Sequence, residues 1–394
     1  MKKARLSPQV IVLGLVSLLN DSASEMIYPL LPVYLTTTLG ATPAIVGLIE
    51  GAADGLASIL KYFAGSWSDR MPKRKPFIAA GYSLAVVART IIAAAVAWPL
   101  ILGARLLDRT GKGIRSAPRD AMISDVTPAD QRGRAYGFHR AMDHTGAIIG
   151  PLLAVLVLQV LGFSLRQAFF FAIVPGLIGV ALILVFLREE PREARPKRSV
   201  TDPKVVLPKR FWEAIAAIAL FSLANSSDAF LLLQAHQAGV STAMLPLLWA
   251  AHHVIKSLFS TPAGALSDRI DRRYLLVAGW VSYAAIYFVF PYATTLSSFF
   301  VLFVIYAIPF TLFEGAERAW IADMVGAEAR GRSFGIFHLT NGVCVLGGTV
   351  LFGVLYQMVS VEAAFRTGAA LAIAAALLVI FFWRSTDRAA AMAR

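Results

Sequence analysis

Charged side chains recur at helical spacing between residues 105 and 120, around the stretch "LDRTGKGIRSAPRD" at 107–120. Arg105, Asp108, Arg109, Lys112 and Arg119 fall within an arc of about 100° on a helix, with Arg115 just outside it. Two further sets share the pattern. Asp21, Glu25, Tyr28 and Pro32 lie at i, i+4, i+7 and i+11, as do Glu50, Asp54, Ala57 and Lys61. A carboxyl group beside an arginine in a low-dielectric setting can take up or release a proton as its neighbours move, so these residue types at this spacing suit proton coupling. The Gly-Lys-Gly at 111–113 does not make a phosphate loop. In a G-x-x-x-x-G-K-[ST] register the first glycine is replaced by Leu106 and the hydroxyl residue by Gly113. No nucleophile–base pair, cofactor motif or cysteine cluster accompanies these charges, and Cys344 is the single cysteine. No enzyme, cofactor or metal site is expected.

The elements that position these charges must be membrane helices. The chain has 394 residues and a net charge of +13, which on a soluble domain would suggest a polyanion partner. Yet 57% of its residues are hydrophobic and only 15% charged, outside the usage of soluble proteins. Apolar runs long enough to cross a bilayer fall at 9–36, 44–66, 76–97, 99–122, 134–158 and 166–187, then at 211–237, 243–266, 274–292, 297–321, 333–357 and 361–383. Charges inside such spans cost roughly 2.5–3.5 kcal/mol each when they face lipid, so the charged stripe of span four must face the protein interior or water. Lysines and arginines concentrate in alternate connections: Lys2, Lys3 and Arg5, then Arg70 to Lys75, the stretch 188–210, Arg269 to Arg273, and Arg330 with Arg332. The opposite side has only Arg166 and Arg366, near the starts of their spans. This bias predicts both termini in the cytoplasm and gives the net charge a topological role, with no nucleic-acid partner. The first apolar run leads into Asn20-Asp21 rather than a cleavage site, so no cleaved signal is expected.

The chain also repeats itself. "GSWSDRMPKRK" at 65–75 matches "GALSDRIDRRY" at 264–274, and "RDAMISDVTPADQRGRAYGFH" at 119–139 matches "RAWIADMVGAEARGRSFGIFH" at 318–338. Asp69 thus pairs with Asp268, Arg119 with Arg318 and His139 with His338. The reading is an all-α integral membrane protein of twelve transmembrane helices in two pseudo-symmetric six-helix bundles, 1–188 and 211–394, joined by a charged, proline-rich linker at 189–210.

With these residues in place, the sequence resembles the major facilitator superfamily over essentially its whole length, and within it the drug/proton antiporters and a bacterial subgroup of poorly characterised permeases. Gly65, Asp69, Arg70, Lys73 and Arg74 match the superfamily's loop motif G-x-x-x-D-R-x-G-R-[RK], with Pro72 at the second glycine. Gly264, Asp268, Arg269, Arg272 and Arg273 match it again, with Asp271 at that position. The resemblance implies that these loops act as conformational hinges. Arg105 and Gly111 match the span-four motif R-x-x-Q-G-x-G, while Asp108 and Arg109 depart from it. The resemblance links that arginine to proton coupling. Gly146, Gly150 and Pro151 match G-x-x-x-G-P, which in the superfamily goes with export. Small residues four apart also permit close helix contact.

These readings give three sets of candidate residues. Proton coupling is expected at Asp21, Glu25, Asp54, Arg105, Asp108 and Asp143, with a static ion-pair clamp as the competing role. A substrate cavity is expected to draw on Arg89, Arg109, Lys112, His139, Asn225, Asp228 and Glu314. Trp249, Tyr287, Phe310 and Trp320 could line an apolar wall, against the usual role of span aromatics in packing. Arg115 and Arg119 are expected to anchor the cytoplasmic rim. His252 and His253 point about 100° apart on a helix and suit hydrogen bonding better than a shared metal. The expected function is secondary active, proton-coupled efflux of a small organic molecule by a monomer in the plasma (inner) membrane. The alternative is import or exchange of an anionic solute, suggested by Arg89, Arg105, Arg109 and Lys112.

Overall fold

A computed structural model describes residues 6–68, 73–128, 131–189, 207–267, 269–326 and 329–392. Those residues form helices and no strand. Ten stretches among them are long and apolar enough to cross a membrane: Pro8–Thr38, Pro43–Leu60, Lys75–Ala94, Arg134–Val160, Leu165–Phe186, Lys209–Gln237, Arg272–Tyr292, Leu296–Asp323, Arg332–Met358 and Val361–Phe382. The expected spans four and eight are also helices, Trp98–Asp125 and Leu245–Ser267, but are not among those ten. Asp69, Arg70 and Asp268 of the loop motifs lie outside the described residues.

Local signals set several helix ends. Ser7 Oγ accepts from the Val10 N–H at 3.3 Å just ahead of Pro8 at the helix start. Ser164 with Gln167 and Thr295 with Ser298 form reciprocal capping boxes. Glu189 caps the span-three helix from the far side of span six. Its carboxylate accepts from the backbone N–H groups of Arg74 at 2.7 and 2.8 Å and of Lys75 at 2.7 Å. The Arg74 side chain, 2% exposed, pairs with Asp125 at the end of span four.

The chain divides into two compact units. The first holds Met1–Ala41, Leu56–Arg198 and Ser241–His253, and the second Thr42–Gly55, Ser199–Val240 and Val254–Arg394. The first part of span two therefore packs within the second unit, and glycines explain how. A Cβ on Gly47 would meet Thr349 O at 2.7 Å, on Gly51 Leu346 O at 3.1 Å and on Gly55 Gly342 O at 3.0 Å, so this helix lies directly on the span-eleven backbone.

In the first unit, span one packs along span five and span three along span four. Gly81 and Gly111 make the second contact, since a Cβ on either would sit 2.5 Å from the other's carbonyl oxygen. A Cβ on Gly113 would meet Leu60 at 2.7 Å. The two glycines of the Gly-Lys-Gly are thus seats for neighbouring helices. A core of Val10, Leu13, Val16, Ile78, Tyr82, Ile123, Ile183 and Leu187 closes one end of the unit.

Candidate transport site

The site in the first unit is built on span one. Leu18 O and Ser22 O occupy the space a side chain would need on Gly146 and Gly150, and a Cβ there would also crowd Asp21 Cβ at 3.1 Å and Glu25 Cβ at 3.0 Å. The G-x-x-x-G face of span five therefore seats the two carboxylate positions of span one against its backbone. Asp21 accepts from Asn20 Nδ2 at 3.0 Å. Glu25 Oε2 accepts from Trp249 Nε1 at 2.7 Å and lies 3.9 Å from His253 Nε2. Trp249 in turn packs on Tyr28 and His252 with ring centroids 5.1 and 5.2 Å apart. Trp249, expected as part of an apolar wall, is thus also a hydrogen-bond donor to the deeper acid of span one.

Toward the other end of the same seam, Ser17 Oγ donates to Asp143 Oδ1 at 2.5 Å and receives Arg119 Nη1 at 3.4 Å. Arg119 also holds Asp120 at 2.9 Å. Asp143 Oδ2 lies 3.5 Å from His139 Nδ1, and the buried His139 Nε2 has no hydrogen-bond partner among the described residues. Glu25, Asp21, Ser17–Asp143 and His139 thus form a ladder of polar and ionisable groups along two helices whose backbones meet at Gly146 and Gly150.

The charged stripe of span four has a mixed fate. Arg105 and Asp108 are 7% and 9% exposed. Arg105 sits over the Tyr28 ring at 5.8 Å, and Asp108 lies 3.7 Å from Arg109. Lys112 is exposed. Arg115 was expected at the rim and is instead buried. Its Nη1 donates to Gly81 O at 3.1 Å and its guanidinium stacks 4.6 Å from the Tyr82 ring, in the notch that the absent Gly81 side chain leaves. Arg119 likewise bonds inward to Ser17 rather than acting only as an anchor. Arg89, 3% exposed, clamps span three to span one: its Nη2 donates to Asn20 O at 3.1 Å, Asn20 Oδ1 at 2.7 Å and Ser24 Oγ at 2.8 Å.

The second unit holds a different arrangement. Span seven, expected as one helix, is two: Lys209–Ala224 and Ala229–Gln237. Ser and Asn side chains compete with the backbone ladder here, and Ser227 Oγ accepts from the Ala229 N–H at 3.3 Å. The freed Ala224 O is satisfied by the Ser226 N–H at 3.0 Å and by Tyr283 OH at 3.2 Å. Asn225 ends the first piece and Asp228 starts the second. Asp228 Oδ1 accepts from Tyr306 OH at 2.6 Å, and Ser226 Oγ bonds Tyr287 OH at 3.0 Å. Asp54, on the part of span two that packs within this unit, is half-buried, and Glu50 one turn before it is buried. Glu314 pairs with Lys256 and Arg318, both at 3.1 Å. Of the second loop motif, Arg272 pairs with Asp323, Asp271 caps span nine through the Arg273 N–H at 2.9 Å, and Gly264 and Arg269 face open space and solvent. Lys73 of the first motif is exposed too.

Helices apolar enough to cross a membrane carry these groups, and comparisons with known proteins point to a membrane transporter. The family model of the Major Facilitator Superfamily matches residues 13–253 and 229–392, and the chain belongs to that family. It is 34% identical over 385 residues to an uncharacterized MFS-type transporter of Methanocaldococcus jannaschii, covering 95% of each chain. It is 25% identical over 198 residues to the quinolone resistance protein NorA of Staphylococcus aureus, 50% of each chain. Among solved structures it resembles the nucleoside transporter NupG, with a TM-score of 0.77 at 14% identity over 95% of this chain and 99% of that one. It also resembles the peptide transporter POT, with a TM-score of 0.78 at 11% identity over 96% and 95%. The protein is a multi-pass membrane protein with the fold and family of secondary transporters that work by alternating access.

Proposed function

We propose that the protein is a proton-coupled exporter of a small organic molecule, in which Glu25, Asp21 and Asp143 carry the proton and Arg105, Asp108 and Arg109 set their charge balance. The carrying observation is the ladder on spans one and five, where acids inside two helices apolar enough to cross a membrane lie beside the backbone contacts of Gly146 and Gly150. A carboxylate there is costly unless it is paired or protonated, so its charge state follows its partners. Trp249, from span eight, supplies the donor that reaches Glu25. A neutral Glu25 keeps one acceptor for Trp249, while an ionised one gains from both Trp249 and His253. Substrate entering beside Tyr28 and Trp249 would disturb that pair and shift the proton.

The reading includes twelve spans with both termini in the cytoplasm of the plasma membrane, a monomer, and hinge roles for the loops at Asp69 and Asp268. The half-chain likeness to a quinolone resistance protein supports efflux of organic compounds. Exposed Lys112 beside Arg109 favours an anionic solute as the second reading. Everted vesicles carrying the protein test both: a panel of cationic, neutral and anionic compounds should include at least one cation or neutral compound that accumulates only with an inside-acid gradient. Accumulation of anions alone would favour the second reading, and no gradient-dependent accumulation of any compound would overturn the first.

A further inference from the structure

The outer surface of the second unit holds a groove of about 730 Å³ between spans nine and twelve. Ala284, Ala285, Ala370 and Ala374 line it together with larger apolar residues, among them Val281 and Ile373. At one end stands Arg366, exposed, its Nη2 donating to Tyr292 OH at 2.5 Å and its guanidinium 6.0 Å from the Phe288 ring. The nearest acid along its own helix is Glu362, one turn earlier. From Arg366 to Leu377 the helix rises about 16 Å at 1.5 Å per residue. That is roughly half of a hydrocarbon core about 30 Å thick, so the groove runs the depth of one leaflet.

The matching face of the first unit is filled. "SLRQAF" at 164–169 aligns with "SVEAAF" at 360–365, with a serine at each helix start and a fully buried phenylalanine at each end, Phe169 and Phe365. In that register Arg366, Ala370 and Ala374 correspond to Phe170, Val174 and Ile178, which cover the outer face with exposed apolar bulk. A lipid-facing helix needs neither small residues in this row nor an arginine, so the groove between spans nine and twelve has no counterpart on this face of span six.

We propose that this groove binds a glycerophospholipid, with one acyl chain along the alanines and the phosphodiester on Arg366. Guanidinium nitrogens suit phosphate oxygens, the Tyr292 hydroxyl orients them, and the long side chain can reach the interface from within the span. A second copy of the chain fits less well, since a symmetric contact through this face would bring two Arg366 side chains together.

Native mass spectrometry of the purified full chain, with equal amounts of dioleoyl-phosphatidylglycerol and dioleoylglycerol in the detergent, tests this. The wild type should retain the phospholipid over the phosphate-free lipid by roughly tenfold, the scale of a charged hydrogen bond. Arg366→Gln should bring the two to parity, and Ala370→Phe should reduce retention of both, while both variants melt as the wild type does. Ala370 is exposed, so its replacement tests the groove even if Arg366→Gln lowers yield. Equal retention of the two lipids by the wild type, or unchanged phospholipid retention in both variants, would overturn the proposal. So would a two-chain species without lipid that Ala370→Phe dissociates.

Discussion

Spans one and seven begin alike and end differently. Ser17-Leu18-Leu19-Asn20-Asp21-Ser22 aligns with Ser222-Leu223-Ala224-Asn225-Ser226-Ser227. Leu18 O packs on Gly146 of span five, and Leu223 O packs on Gly348 of span eleven, so the two tracts have equivalent neighbours. Span one stays helical through Ile27, whereas span seven breaks after Ala224. The clamps differ as well. Span three sends Arg89 to the Asn20 carbonyl and side chain, and span nine sends Tyr287 to the Ser226 hydroxyl. An arginine can satisfy Asn20 and Ser24 together while the backbone ladder continues, and Ser22 Oγ bonds back to Leu18 O at 2.8 Å within the helix. In span seven Ser226 and Ser227 turn their hydroxyls to Tyr287 and to the next helix start. One repeat thus carries its acids on a continuous helix, and the other carries Asp228 on a break lined by tyrosines.

Filling the shared packing site should have the largest effect. Gly146→Val and Gly348→Val each place a side chain on a backbone carbonyl that cannot swing aside, so the cost should exceed the roughly 1–3 kcal/mol of ordinary overpacking. Melting in detergent should fall sharply for both, while Gly103→Ala, where nothing lies within 4 Å of a new Cβ, should melt as the wild type does. A wild-type melt for either valine variant would mean the helices are not packed backbone to backbone. The clamps should separate next. Arg89→Met leaves Asn20 and Ser24 acceptors unmet and removes hydrogen bonds from a charged donor, worth roughly 1.5–3 kcal/mol, whereas Tyr287→Phe removes the neutral bond to Ser226, worth roughly 1 kcal/mol. Equal losses in the two variants would dissolve the contrast between the repeats.

Part of this was legible in the chain. The small-residue seam of span five and the acidic face of span one follow from spacing alone, because helical periodicity decides which residues share a face. The partner of Glu25 does not, since Trp249 is 224 positions away and nothing in span eight marks it as a donor to that acid. The break in span seven was hidden for a different reason: Asn225 to Asp228 interrupt a stretch apolar enough to read as one span, and the similar Asn-x-Ser tract stays helical in span one. Arg115 illustrates a third limit. Its position near the end of span four suggests a surface anchor, and only the Gly81 notch explains its burial.

The smallest effect concerns the loop motifs, where the first starts span three on Glu189 and the second starts span nine on Asp271. Hydrogen bonds from Arg273 hold the Asp271 carboxyl below its ordinary value of 3.8. A lowered pKa stabilises the fold above the unfolded value, and that contribution is lost as pH falls through the folded one. The melting difference between wild type and Asp271→Ala, about 1 kcal/mol or less for a half-buried cap, should therefore be constant from neutral pH down to about 5 and shrink below about 4. A difference that grows on acidification would contradict the capping role.

The proton ladder is tested most directly by Glu25→Gln, which preserves the shape and the acceptor for Trp249 but cannot ionise. In proteoliposomes, with a substrate found by the vesicle panel, transport driven by a pH gradient should be lost while substrate–substrate exchange, which needs no net proton release, continues. Gradient-driven transport at the wild-type rate in this variant would contradict the account.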